Sequence, residues 1–318
     1  MTPRLSILVP TLGRSPVLDE ALRALAADAA TVDGELVVVV PSGFAPTDVQ
    51  RVALDRADRV VETPRPGFAA ANNVGYAETH GRYVALVNDD AIVEPGWCET
   101  LCEALDSQPD AAATQGVVLR LDDPERVDGA GIAWNRWWQA VQIGHGKPAA
   151  TWLTGEARPI FGVSATAAMY RRDAVDAVLL GSDRQGTVFD ETLFAYYEDV
   201  DLAIRLRAAG FDSWCLPTAR ARHAGSASGR TLPLAARPLI HGNRHLVLAR
   251  ALGRAFWPRW PLILGRDVLD LARCVLAGDV AGAVGIGSGI GRALSGAPRL
   301  GHLDAPTPRL DAWRGARS

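Results

Sequence analysis

The chain has 318 residues, 48% hydrophobic and 22% charged, which allows one large folded domain with an appendage and excludes global disorder. A net charge of −3 and the lack of a basic stripe give no electrostatic case for nucleic acid as main partner. Its four cysteines, Cys98, Cys102, Cys215 and Cys274, form no CxxC pair and no zinc-type spacing, and read as buried free thiols in a reducing compartment.

The N-terminal apolar run, 5–9, is too short for a signal segment and runs into Pro10-Thr11-Leu12-Gly13. It predicts a buried strand. A helix over 15–27 follows, opened by Ser15 with Pro16 next. Strands are expected at 35–40, 58–62 and 83–87, with helices at 46–56 and 68–80 between them. This alternation, with continuous apolar strands, predicts an α/β fold with a doubly wound, mostly parallel sheet. Ligands in such sheets bind beyond the carboxyl ends of the strands, and Asn88-Asp89-Asp90 sits at one of them.

A helix at 95–107 and a strand at 111–119 come next. Residues 120–159 form a less regular insertion holding Trp134, Trp137, Trp138 and Trp152. An apolar run at 161–170, a helix from about Asp173, a helix at 198–209 stopped by Gly210, and a short strand at 213–216 complete this half. From Leu234 onward the pattern is helical. Trp260, Leu264, Val268, Leu271 and Val275 share one helix face, with Arg266, Asp267, Asp270 and Arg273 opposite. No uncharged run reaches the roughly 20 residues of a spanning helix. The expected divisions are 1–119 for a nucleotide-binding half, 120–230 for an acceptor-binding half, 231–297 for a helical C-terminal extension and 298–318 for a frayed tail.

Three constellations carry chemistry. Asp89 and Asp90 at a strand end suit Mg²⁺ or Mn²⁺ with positions left for phosphate oxygens, although a solvated turn would use the same residues. Glu198, Asp199 and Asp201 open a helix, where the dipole stabilises carboxylates. Capping explains one of them, and another is available as a general base on a hydroxyl. His223, ahead of Gly225, Ser226 and Ser228, offers an imidazole ligand beside a loop able to close on a diphosphate; taken alone it reads as structural. Asn72 and Asn73, near the start of the helix after Pro66-Gly67, can face a base or sugar, or merely solvent. The insertion tryptophans can stack on sugar rings or form that region's core.

As an ordered set these motifs resemble the inverting family 2 glycosyltransferases with a GT-A fold, most closely their bacterial rhamnosyltransferase-type branch. Leu5-Ser6-Ile7-Leu8-Val9-Pro10-Thr11 is similar to the opening strand, whose end contacts the nucleotide. Gly67-Phe68-Ala69-Ala70-Ala71-Asn72-Asn73-Val74-Gly75 resembles the branch signature. Asn88-Asp89-Asp90 resembles the DXD motif, Tyr197-Glu198-Asp199-Val200-Asp201 the acceptor-side block, and His223-Ala224-Gly225-Ser226 the histidine motif. The resemblance implies Asp199 as catalytic base and Asp90 with His223 as ligands of Mg²⁺ or Mn²⁺. Pro10, Thr11, Asn72, Asn73 and Asp89 fall on the donor side, and Glu198, Trp138 and Phe161 on the acceptor side. It implies a dTDP-rhamnose or UDP-sugar donor and a cell-surface glycan or polyprenyl-linked acceptor, handled on the cytoplasmic side of the cell membrane. One departure stands out: Val39-Val40-Pro41-Ser42-Gly43 carries no acid where members usually have one after the second strand.

Arg254, Phe256, Trp257, Arg259 and Trp260 fit an interfacial membrane anchor, and a homodimer interface would show the same pattern. Two other classes compete. A catalytically silent glycan-binding relative is motivated by Pro41. A sugar-1-phosphate nucleotidyltransferase would want a glycine-rich N-terminal loop, of which Pro10-Thr11-Leu12-Gly13-Arg14 is a poor version.

Overall fold

The computed structural model describes residues 2–181, 186–225 and 233–296, so Ser226, Ser228 and the tail at 298–318 lie outside the described residues. Strands β1 (Leu5–Pro10), β2 (Gly34–Pro41), β3 (Arg59–Thr63) and β4 (Tyr83–Val87) pair in parallel in the order β4-β1-β2-β3. Helices α1 (Leu18–Ala29), α2 (Asp48–Leu54) and α3 (Phe68–Ala77) connect them. Strand side chains alternate between two cores. Leu5, Ile7 and Val9 of β1 point to one cluster and Leu8 to the other, which is why these strands read as continuous apolar runs. Each such side chain, removed from water, contributes about 1.5–3 kcal/mol.

The second half extends the sheet. After β5 (Ala91–Val93), helix α4 (Trp97–Ser107) and β6 (Ala111–Arg120) come β7 (Val127–Gly129) and the hairpin β8 (Ile132–Trp134)–β9 (Ala140–Gln142). Strands β10 (Arg158–Ile160), β11 (Ala167–Arg171) and β12 (Asp212–His223) complete it, with α5 (Arg172–Asp176) and α6 (Glu198–Ala208) between the last two. The main path runs β10-β12-β6-β11-β4-β1-β2-β3, with β11 antiparallel to both neighbours. The result is an α/β fold with a mostly parallel sheet.

Two boundaries moved for physical reasons. Helix α1 begins at Leu18 rather than Ser15, because Ser15 Oγ accepts from Val17 N and forms a local turn first. Strand β12 runs to His223 instead of ending near Leu216. Pro217 reads as a strand stop, but the register shift between Leu216 and Arg220 absorbs it as a bulge and pairing resumes.

The described residues of the C-terminal region form three α-helices: α7 (Pro233–Leu252), α8 (Phe256–Leu276) and α9 (Val280–Gly296). A third hydrophobic cluster joins Trp134, Trp138 and Phe161 of the insertion to Val200 and Ile204 of α6 and to Leu246, Val247 and Leu248 of α7. Among the described residues no helix is long and apolar enough to cross a membrane.

Candidate active site

The carboxyl end of β4 turns at Asn88, whose carbonyl accepts from Ala91 N, and the chain re-enters the sheet as β5. Strand β5 pairs with the end of β12, setting His223 opposite Ala91, next to Asp90. His223 Nε2 lies 3.1 Å from Asp90 Oδ1 and its Nδ1 lies 2.8 Å from Asp128 Oδ2 on β7. Asp90 and His223 are both buried. Burial alone would lower the histidine's pKa. The hydrogen bonds and charges of Asp128 and Asp90 outweigh it and raise the value to about 9.

This arrangement fits a divalent cation. With Nδ1–H given to Asp128, a neutral His223 aims the Nε2 lone pair at a carboxylate, and two acceptors in a buried site need a proton or a cation between them. Among the described residues no three His, Cys, Asp or Glu side chains form a ligand cage. Two protein ligands, Asp90 and His223, would leave the remaining positions for oxygen ligands, as Mg²⁺ and Mn²⁺ use.

On the donor side, Thr11 follows β1 and donates from Oγ1 to Asp89 Oδ2 at 2.5 Å, while the same oxygen accepts from Gly13 N. Burial raises the Asp89 pKa to about 6 against the lowering effect of that hydrogen bond. Pro10 is half-buried at the strand end. Asn72 and Asn73 are both buried. Asn73 spans from α3 to Phe189, donating to its carbonyl and accepting from its N–H, each at 2.9 Å. Asn72 donates to Phe68 O. The structure thus gives both asparagines structural bonds. At the end of β2, where the chain has Pro41, Glu62 of β3 turns Oε2 to Gly43 N at 3.4 Å, so an adjacent strand supplies a carboxylate there.

The acidic helix α6 is entered through unusual backbone. Ala195 N donates to Leu193 O at 2.7 Å around Phe194, whose φ is 65° and ψ −61°, a γ-turn of the strained positive-φ kind. Tyr196 and Tyr197 follow at φ 67° and 71°. Left-handed conformations cost non-glycine residues roughly 1–2 kcal/mol each. Gly67 at φ 112° lies against this turn, and a Cβ there would come within 2.8 Å of the Phe194 ring. The segment delivers Glu198 and Asp199. Glu198 is buried with Oε2 lacking a hydrogen-bond partner. Asp199 is half-buried, and its oxygens accept from Val200 N at 2.7 Å and Ala165 N at 3.3 Å. Burial holds both carboxyls above the ordinary range, and each raises the cost of ionising the other.

Two expected acceptor-side residues are corrected. Trp138 and Phe161 are fully buried in the third core cluster, and Trp134 packs edge-on against Phe161. They present no face to a ligand; their bulk went to joining the insertion to α6 and α7. Other residues of the site carried no sequence signal. Asp128 lies in the irregular insertion, and the 164–166 stretch connects the two acidic motifs. Thr166 O accepts from Asn88 N at 2.9 Å and Ala165 N reaches Asp199.

A family described as glycosyltransferase like family 2 matches residues 3–238. An uncharacterized protein of Sinorhizobium fredii is 30% identical over 239 residues, covering 71% of this chain and 25% of that protein. A glucosyl-dolichyl phosphate glucuronosyltransferase of Haloferax volcanii is 33% identical over 88 residues, 27% of this chain and 28% of that protein. The matches thus cover about a quarter of the length of these curated relatives. Among solved structures, a mannosyltransferase of Pyrobaculum calidifontis in complex with GDP-Man and Mn²⁺ shares the fold. Its TM-score is 0.54 at 18% identity, over 92% of this chain and 81% of that one.

Proposed function

The chain belongs to glycosyltransferase like family 2, and from that membership we propose that it transfers a sugar from a nucleoside-diphosphate donor to an acceptor hydroxyl by one inverting displacement. One observation carries the reading. The 164–166 backbone binds Asp199 on one side and Asn88 on the other, so the acidic helix and the acidic strand end share a wall. Asp199 takes the proton of the acceptor hydroxyl. The oxygen forms a bond to the anomeric carbon as the bond to the diphosphate breaks, and the nucleoside diphosphate leaves with that electron pair. Asp90 and His223 would hold Mg²⁺ or Mn²⁺, which when bound stabilises charge on the diphosphate. Asp89, fixed by Thr11, faces the donor.

The donor reading remains dTDP-rhamnose or a UDP-sugar, and GDP-mannose joins the test because the Pyrobaculum structure holds GDP-Man. Thermal-shift titration with these nucleotide sugars, with and without Mn²⁺, is the test. A metal-dependent rise in Tm with one of them supports transfer and selects the donor. A folded sample that shifts with none favours the silent glycan-binding relative. Release of pyrophosphate from a nucleoside triphosphate and a sugar phosphate would favour the nucleotidyltransferase.

We also propose a lipid-linked acceptor at a membrane surface, the class of acceptor that the Haloferax relative's name states for that protein. The observation in support is helix α8, which turns its apolar stripe outward. Trp257, Leu262, Val268, Leu269, Val275 and Leu276 are exposed, whereas Asp267 on the same helix is fully buried. Residues 231–297 carry eight arginines against three aspartates, a balance of +5 in a chain whose total is −3. An outward apolar stripe with basic residues suits an anionic interface. Co-sedimentation with anionic but not neutral vesicles, lost in Leu269→Glu, is the expected result. A dimer in solution that ignores vesicles would make this face a self-interface.

A further inference from the structure

We infer that helix α7 holds the base in place: Asn243, assisted by Arg250, is a positioning residue for Asp199. This rests on the transferase reading of the same site. Asn243 is fully buried, and its Nδ2 lies 2.8 Å from Leu193 O, 3.0 Å from Ala195 O and 2.8 Å from Tyr196 O. Ala69 N donates to the remaining carbonyl, Phe194 O, at 3.1 Å. Four consecutive carbonyls are therefore engaged, three of them within reach of the two N–H groups of one side-chain amide, so that one N–H is shared.

The captured stretch is the strained one, the γ-turn at Phe194 followed by left-handed Tyr196 and Tyr197. Backbone in such conformations persists only where the surroundings over-determine it. The turn sets the direction in which α6 starts, and Asp199 is the second residue of that helix. Arg250, two turns further along α7, pins the same segment at both ends. It pairs with Asp190 ahead of the turn and with Asp201 Oδ1 at 2.9 Å behind the base. Asp201 is itself held by Arg205.

Catalysis by a general base depends on its placement, and a displacement of about 1 Å costs on the order of 10²-fold in rate. The proposed donor and metal residues Thr11, Asp89, Asp90 and His223 sit on the other wall, at the ends of β1, β4 and β12. Loosening the 193–197 segment should therefore lower kcat while leaving donor affinity in place. A residue that only supports folding would lower both, together with Tm.

The test uses the full chain with Asn243→Leu, which keeps volume but donates nothing, and Arg250→Lys, which keeps charge but cannot span two carboxylates. Hydrogen exchange of residues 193–201 is compared with that of β1 and β4, alongside kcat, donor KM and UDP or dTDP binding with Mn²⁺. The expected result is faster exchange confined to 193–201, kcat reduced tenfold or more, and donor KM within a factor of three. Arg250→Lys should sit between wild type and Asn243→Leu. Unchanged exchange in both variants overturns the inference, as does a parallel loss of kcat and nucleotide binding. If exchange rises as expected but the wild type turns over no nucleotide sugar, the transferase reading fails while the bracing stands.

Discussion

Asp128 accepts from His223 Nδ1 at 2.8 Å, which commits that ring nitrogen and leaves Nε2 to face Asp90. A partner of this kind fixes the tautomer and raises the basicity of a metal-binding imidazole. Asp128→Asn should weaken Mn²⁺ binding about 10–100-fold, and at neutral pH it should also lower the Tm of the metal-free protein, because buried His223 loses a partner that holds its pKa up. Titration calorimetry checks it. An affinity equal to wild type would remove Asp128 from the metal site.

Burial holds the Asp199 carboxyl above the usual carboxylate range of about 4, against the lowering effect of hydrogen bonds from Ala165 and Val200 N–H. A base must be ionised to work, so the acid limb of kcat/KM should lie above that value and activity should rise with pH through it. Asp199→Asn should abolish the limb and lower turnover about 10²–10⁴-fold, with nucleotide binding retained. A variant that keeps wild-type turnover would place the base elsewhere.

Strands β1, β2 and β4 were legible because each is an apolar run closed by a turn, and β4 was located to the residue; β3, Arg59–Thr63, is mostly exposed and showed through its place in the alternation. The acidic motifs were legible because they sit at element ends, where chain direction alone sets their side of the sheet. Asp128 was not, because 95 residues separate it from His223 and pairing of β7 with β6 brings it there. Asn243 was hidden in the same way, lying on an ordinary helix far from the turn it holds. For Trp138 and Phe161, residue type cannot distinguish a sugar platform from a core, and only packing decides.

Trp138 supplies the check on that last point. It is fully buried although its own φ is 59°, so its side chain is held for packing. Trp138→Ala should cost about 3–5 kcal/mol of stability through the cavity it leaves. Denaturant unfolding measures this. An acceptor KM that rises while stability stays at the wild-type level would return Trp138 to the binding surface.

Glu62 offers a substitute for the acid that Pro41 displaces, since its carboxylate reaches Gly43 N at the β2 end. Glu62→Gln should raise donor KM by a few-fold without changing kcat, the pattern of an interaction made equally in ground and transition states. An unchanged donor KM would leave the base and ribose to other groups.

Asp267 couples α8 to α7 through three bonds, to His241 Nδ1 at 2.6 Å, His245 Nε2 at 2.5 Å and an Arg244 nitrogen at 2.7 Å. Burial would raise its pKa, but the two histidines and Arg244 reverse this and hold it well below the carboxylate range. A depressed folded pKa contributes stability above the unfolded value of about 4, and that contribution is lost as pH falls below it. Asp267→Asn leaves Arg244 buried beside a neutral amide, which at pH 7 should cost about 3–5 kcal/mol. The gap between wild type and variant should narrow steadily from pH 4 downward. Thermal unfolding at pH 7 and pH 3 reads both. The buried residues of α8 are Phe256, Ile263 and Asp267, so the same carboxylate helps seat the helix whose outer side carries the apolar stripe. A variant that unfolds less cooperatively and binds anionic vesicles less would tie this network to the membrane reading, and intact vesicle binding would separate the two.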